Sequence, residues 1–153
     1  MPPIVLTIEI ARPPDEVFSY VTDPSRFAEW QADAVRGGRA GGGSPGVGSR
    51  FTTTRRIGRA ERTTTWEITE SHPPSSWAAH GVDGPIRTCM HVTVAPLAGS
   101  ARSRVTIDVD FRGHGIGKLL VPLVHRLGRK DSPTNGRNLK ERLEGRDEHV
   151  ARC

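Results

Sequence analysis

The sequence predicts an α+β fold, built as one opening strand, two short helices, a run of antiparallel strands and a closing helix. Three patterns carry this expectation. Period-two alternation of β-branched residues fills most of residues 50–111. Proline-led helix starts follow the first alternating segment. Near the end the apolar period changes to that of a helix.

Ile4, Leu6, Ile8 and Ile10 alternate with Val5, Thr7, Glu9 and Ala11, a half-buried strand. Pro13-Pro14 end it and open a helix whose first turn holds Asp15 and Glu16, favourable at its positive end. Val17, Phe18, Tyr20 and Val21 form its apolar stripe, and Asp23-Pro24 starts a second helix ending at Trp30. Residues 37–49 (GGRAGGGSPGVGS) read as a flexible loop. They do not form a phosphate cradle, because a strand-like segment follows them and no helix N-terminus does. Strands then follow at 50–55, 63–69, 77–82, 86–94 and 104–111, and their short connections favour antiparallel neighbours. Ile116, Leu119, Leu120, Leu123, Val124 and Leu127 fall at helical spacing, and Leu139 and Leu143 continue it. Between them, Lys130 to Gly136 marks either a kink or a second helix capped by Asp131 or Ser132 with Pro133 in its first turn. The expected organisation is one domain over 1–146 and a polar, frayed tail over 147–153.

Composition narrows the function. With 153 residues, 35 % hydrophobic and 25 % charged, the chain is globular and long enough to enclose a cavity. No apolar run approaches a membrane span, and the alternating N-terminus lacks the basic start of a signal peptide. Cys89 and Cys153 make no disulfide framework and no CxxC pair, consistent with a reducing cytoplasm. The net charge is +5, from 22 Lys and Arg against 17 Asp and Glu, and 19 of the 22 are arginine. Together with 17 Gly and 12 Pro this matches GC-rich coding, so the net charge alone is weak testimony for an anionic partner.

The ordered segments IEIARPPDEVFSYVTDPSRFAEW (8–30), GVGSRF (46–51), WEITESHPPSSW (66–77), SRVTIDVDF (103–111) and NLKERLE (138–144) resemble the SRPBCC superfamily. This is the START and birch-pollen-allergen-like group, and the likeness is strongest to its polyketide cyclase/dehydrase-like branch. The resemblance spans nearly the whole chain. It implies a helix-grip fold, in which a curved antiparallel sheet wraps around the long C-terminal helix and leaves a cavity between them. It carries over no common catalytic motif.

In such a fold the cavity is the default site, and its candidate lining is Phe27, Trp30, Trp66, Ile68, Trp77, Met90, Val92, Ile107, Val109, Leu120 and Val124. Each of these alone reads more readily as core packing; the set outlines a pocket. Tyr20, His80 and the Asp108/Asp110 pair are the polar groups weighed for chemistry. Parity sends His91, Asp108 and Asp110 to solvent, leaves His80 ambiguous, and gives the two acids arginine partners on a neighbouring strand. The six histidines show no metal-ligand spacing, and no GxSxG elbow is present. Arg55 to Arg62 reads as a solvated basic hairpin, and without interleaved aromatics it argues against nucleic acid. The expected function is binding of a hydrophobic or aromatic small molecule, lipid- or polyketide-like, without metal or redox cofactor. The alternative is a polyketide aromatase/cyclase-like enzyme using the same cavity. Residues 37–49 would serve as its entrance flap, and the sequence leaves a homodimer open.

Overall fold

The computed structural model describes residues 2–40 and 46–151, with side chains described as far as residue 145. Strand β1 (Ile4–Ile10) leads into α1 (Pro14–Val21), a 3-10 turn (Pro24–Arg26) and α2 (Phe27–Trp30). Strands β2 (Ala34–Arg39), β3 (Arg50–Ile57), β4 (Ala60–His72), β5 (Ser76–Gly81), β6 (Ile86–Leu97) and β7 (Arg102–Gly113) follow, and α3 (Gly117–Ala151) closes the chain. The sheet order is β1-β7-β6-β5-β4-β3-β2, and every neighbouring pair is antiparallel. β2 to β7 form a continuous meander, and β1 adds to its far edge beside β7. The curled sheet and long helix make the helix-grip fold.

Local chemistry sets the first helices as expected. Pro14 occupies the first turn of α1 with Asp15 and Glu16 beside it, and Asp23 Oδ1 accepts the Ser25 N–H at 3.0 Å to start the 3-10 turn. Thr54 and Thr63 share a hydroxyl hydrogen bond across β3 and β4, and Trp66 Nε1 donates to Thr53 Oγ1 at 2.9 Å.

Two expectations are corrected. The loop assigned to 37–49 begins later, because Gly37, Gly38 and Arg39 pair with Thr53, Thr52 and Phe51 as the end of β2. Glycine serves close approach there: a Cβ on Gly37 would stand 2.5 Å from the Pro24 carbonyl oxygen. Residues 41–45 of that segment lie outside the described residues. Of the two alternatives at 130–136, the second helix is absent, since α3 continues as one helix through Pro133 and past residue 146 to Ala151. Continuity is secured from outside the helix. Asn135 Oδ1 accepts the Ala32 N–H at 2.8 Å, Asn138 donates to the Trp30 carbonyl, and Leu139 and Leu143 are fully buried.

α3 is tied at two places to residues that flank the sheet's first strand. Near its start, His125 Nε2 lies 3.0 Å from the Pro2 carbonyl and its ring meets Phe111 edge-on. Near residue 144, Arg12 donates to the carbonyls of Leu143 and Glu144, while Glu144 Oε2 accepts from the Ala11 N–H and Lys140 Nζ at 3.0 and 2.8 Å. Burial alone would raise the Glu144 pKa, but the hydrogen bonds from Lys140 and Ala11 outweigh it and hold the carboxyl below its ordinary value.

Two stability predictions follow from these contacts. Gly37→Ala should destabilise the chain by about 2 kcal/mol in urea unfolding, because backbone oxygen cannot move aside cheaply. Glu144→Gln should lower stability at pH 7 and have less effect under acid conditions. The carboxylate's contribution is present above its unfolded-state pKa and is lost as pH falls through the depressed folded value. An equal loss at both pH values would show that the charge contributes nothing.

Candidate functional site

Strand parity sends Ile4, Leu6, Arg55, Ile57, Arg62, Thr64, Trp66, Thr88, Met90, Ile107, Val109 and Phe111 to the concave face, under α3. The aromatic residues do not fill that space evenly. Phe51 stacks on Trp66 and Trp77, with ring centroids 5.8 and 5.9 Å apart, and meets Phe27 edge-on at 6.1 Å; Phe27 in turn meets Trp30. This cluster, with Leu139, Leu143, Val92 and Val105, plugs one end of the half-barrel. Toward the other end lies a cavity of about 290 Å³.

Of the residues expected to line a pocket, Trp30, Trp66, Met90, Ile107, Val109 and Val124 are in the cavity wall. Phe27, Trp77 and Val92 are packed in the plug, and Ile68 joins them in the core. None of these four is in the cavity wall, because each sits at the filled end of its element. Leu120 is also outside the wall, 41 % exposed on the flank of α3. That helix meets the sheet through the side carrying Val124, Gly128, Gly136, Leu139 and Leu143, which leaves the neighbouring face uncovered.

The polar side chains weighed from sequence lie elsewhere. Tyr20 is buried against α2, where its hydroxyl donates to Glu29 at 2.8 Å and Arg26 covers its ring. His80 and His91 face outward beside Glu67 and Glu70, at 3.7 and 2.9 Å. Asp108 and Asp110 pair in register with His91 and Cys89 on the outer surface. The arginine near Asp110 is Arg112 of its own strand, not a cross-strand partner. Among the described residues, no three His, Cys, Asp or Glu gather as metal ligands.

The cavity's own polar groups are ones to which the sequence gives other roles, Asp131 as a helix cap among them. Arg55 and Arg62, assigned to a solvated hairpin, are register partners on its wall, beside Asp33 and Asp131. Their inward parity with Trp66 was the available signal. Arg55 Nη1 donates to Asp33 Oδ1 at 2.8 Å, whereas Arg62 meets no carboxylate among the described residues. Asp131, one turn beyond Leu127 on α3, has a raised pKa: burial disfavours its charge first, the Asp33 carboxylate adds to this, and Lys130 partly opposes it. Trp30 Nε1 is buried with no acceptor among the described residues, an unmet donor in the same wall.

The cavity is thus apolar along its body, with the Asp131 carboxyl and the Arg62 guanidinium at its polar side. A fold and site of this kind define a helix-grip protein with an internal ligand cavity. The chain belongs to the polyketide cyclase/dehydrase and lipid transport family, whose model matches residues 1–144. Among solved structures it is similar to the Zhui aromatase/cyclase from Streptomyces sp. R1128, with a TM-score of 0.74 at 14 % identity over 94 % of both chains. A START superfamily protein from Mycobacterium smegmatis gives a TM-score of 0.74 at 16 % identity, over 95 % of this chain and 99 % of that one. The di-domain aromatase/cyclase BexL of the BE-7585A biosynthetic pathway gives 0.71 at 18 % identity. This chain spans about half of BexL, 94 % of itself against 47 % of that chain. At these identities the likeness establishes the fold. No curated protein matches the sequence. Among the described residues no helix is long and apolar enough to cross a membrane.

The Asp131 environment has a measurable consequence. The folded chain holds this proton more tightly than the unfolded chain, so the group's contribution is fully present below its ordinary value of 3.8 and is lost as pH rises through the raised value. Asp131→Asn should therefore raise the Tm relative to the parent chain more at pH 7 than at pH 4. A Tm difference that is the same at both would show that the Asp131 proton is held no differently after folding.

Proposed function

We propose that this chain binds an aromatic or otherwise apolar small molecule in the cavity between sheet and α3, with one polar group of the ligand directed to the mouth. The observation that carries this reading is the division of the lining. Ile4, Leu6, Met90, Ile107, Val109 and Val124 offer apolar surface, while Arg62, Thr64, Thr88 and Asp131 lie on the same wall. Burial of the ligand's apolar surface supplies about 25 cal/mol per Å², and the few polar groups fix its orientation. A volume of about 290 Å³ suits a molecule of roughly two or three fused rings better than a sterol. Arg62 meets no carboxylate among the described residues and is suited to a carbonyl, phenolate or carboxylate oxygen. A small rotation of Trp30 toward a ligand acceptor would satisfy its unmet N–H. The match to a family that includes polyketide cyclases and lipid carriers supports the same class of ligand.

A second reading, a cofactor-free aromatase/cyclase-like activity, is favoured by one observation: Asp131 lies in the cavity wall with its proton held more tightly than usual. An acid so placed donates a proton to a developing alkoxide or departing hydroxyl, and its carboxylate then accepts one from carbon.

Tryptophan fluorescence separates these readings. Hydroxyanthraquinone should quench Trp30 and Trp66 in the wall, and Trp77→Phe should leave its affinity within about twofold. Val124→Phe, which fills the cavity, should weaken it by about tenfold or more. Equal affinity in Val124→Phe would overturn the binding reading. For the second reading, Asp131→Asn should keep the quenching but abolish ring closure of a linear poly-β-ketone followed by absorbance. Unchanged turnover would remove Asp131 from the chemistry.

A further inference from the structure

The first half of α3 carries an apolar face that no described residue covers. Leu119 is 80 % exposed and Leu123 50 %, with Ile116, Leu120 and Leu127 completing a stripe at helical spacing. Such a stripe is about 17 Å long, at 1.5 Å per residue. Single exposed leucines are ordinary; five on one face are not. The stripe is continuous with the cavity, since Leu127 and Val124 belong to its wall. Across the opening stands the β3–β4 hairpin tip, where Ile57 is partly exposed and also lines the cavity. Both rims of the mouth therefore present apolar side chains outward.

Charge placement selects the occupant. From Asp110 to Asp131 the chain has no carboxylate, yet it carries Arg112, Lys118, Arg126, Arg129 and Lys130. Helical geometry sets Arg126 and Lys130 beside the leucines, with Leu123 one turn and Leu119 two turns before Arg126. The opposite rim adds Arg59 beside Gly58 and Arg56 beside Ile57, the latter arginine 4.0 Å from Glu61. GC-rich coding accounts for abundant arginine but not for a segment free of acids next to a leucine stripe. A second copy of this chain is a poorer fit. Stripe against stripe would bring the basic residues of both helices together with no acid from this segment between them.

We propose that this face docks on an anionic lipid bilayer, with the cavity mouth turned toward the membrane. The leucines enter the boundary between headgroups and acyl chains while Arg126 and Lys130 reach back to the phosphates. The helix lies in the interface and does not span it. This inference rests on the exposed face and stands whether or not the cavity takes the ligand proposed above.

Vesicle flotation of the intact chain tests it. Vesicles of phosphatidylcholine with about one third phosphatidylglycerol should retain the protein, and phosphatidylcholine alone should retain far less. Arg126→Gln with Lys130→Gln should weaken binding by about 25-fold, roughly fivefold per charge, and the difference should shrink at high salt. Leu119→Glu with Leu123→Glu should abolish retention without lowering the Tm, because both side chains are already in water. No retention on either vesicle would overturn the proposal, as would equal retention on both. It would also fall if light scattering showed a dimer that Leu119→Glu with Leu123→Glu converts to a monomer, since a second copy would then cover the face. Quenching by hydroxyanthraquinone in these variants reports the cavity separately, so failure of one reading is not mistaken for failure of the other.

Discussion

The stacking of Phe51 between Trp66 and Trp77 is the contact on which the remaining architecture depends. Three strands, β3, β4 and β5, each contribute one large ring, and α2 adds Phe27 and Trp30. Aromatic pairs add about 0.5–1.5 kcal/mol each beyond the area they bury. Their larger effect here is geometric. Rings of this size hold the far half of the sheet at a fixed curl and occupy the space under the C-terminal half of α3. The other half is less filled, its inward residues being Phe111, Thr64, Thr88, Met90 and aliphatic side chains, and that shortfall in volume is the cavity. A cavity of this kind persists because close-packed surroundings do not collapse to fill it.

The helix must then be held at a set height above the sheet. It is anchored at two places instead of being pressed down along its length. His125 at the Pro2 carbonyl secures the cavity end, and Arg12, Ala11 and Glu144 secure the plug end. Between them, Asn135 and Asn138 take up backbone groups where α2 ends. Gly136 permits a close approach, its position facing Leu6 and Ile8 directly. The same arrangement leaves one flank of the helix without a partner, so the exposed leucines follow from how the helix is seated.

Polar chemistry is divided between the two faces of the sheet. The outer face gathers His80, His91, Glu67, Glu70, Asp108 and Asp110 into solvated pairs. The cavity side carries Gln31, Asp33, Arg55, Arg56, Arg62, Asp131 and Asn135 with a few hydroxyls. One carboxylate is claimed by Arg55 and the other is not, so two acids of the same type differ in their surroundings. That inequality arises from contacts between β2, β3 and α3, elements far apart in sequence.

Which side chains face inward was legible in the sequence, because a two-residue period fixes the face of every strand position once one face is buried. Alternation at Ile4 to Ile10, Thr64 to Ile68 and Val105 to Phe111 therefore determined the concave face, and with the helix periods it determined the order of elements. It also carried the family resemblance. Position along a strand has no such local signal. Trp66 and Trp77 look alike in sequence, yet the first touches both plug and cavity and the second only the plug. Val92 and Met90 differ in the same way. Where the filled half ends is set by rings from four separate elements meeting in space, and which flank of α3 is covered is set by its anchors at residues 2, 11 and 12. Those are non-local contacts, so tertiary structure alone decided where the cavity lies, which polar groups reach it and which leucines stay exposed.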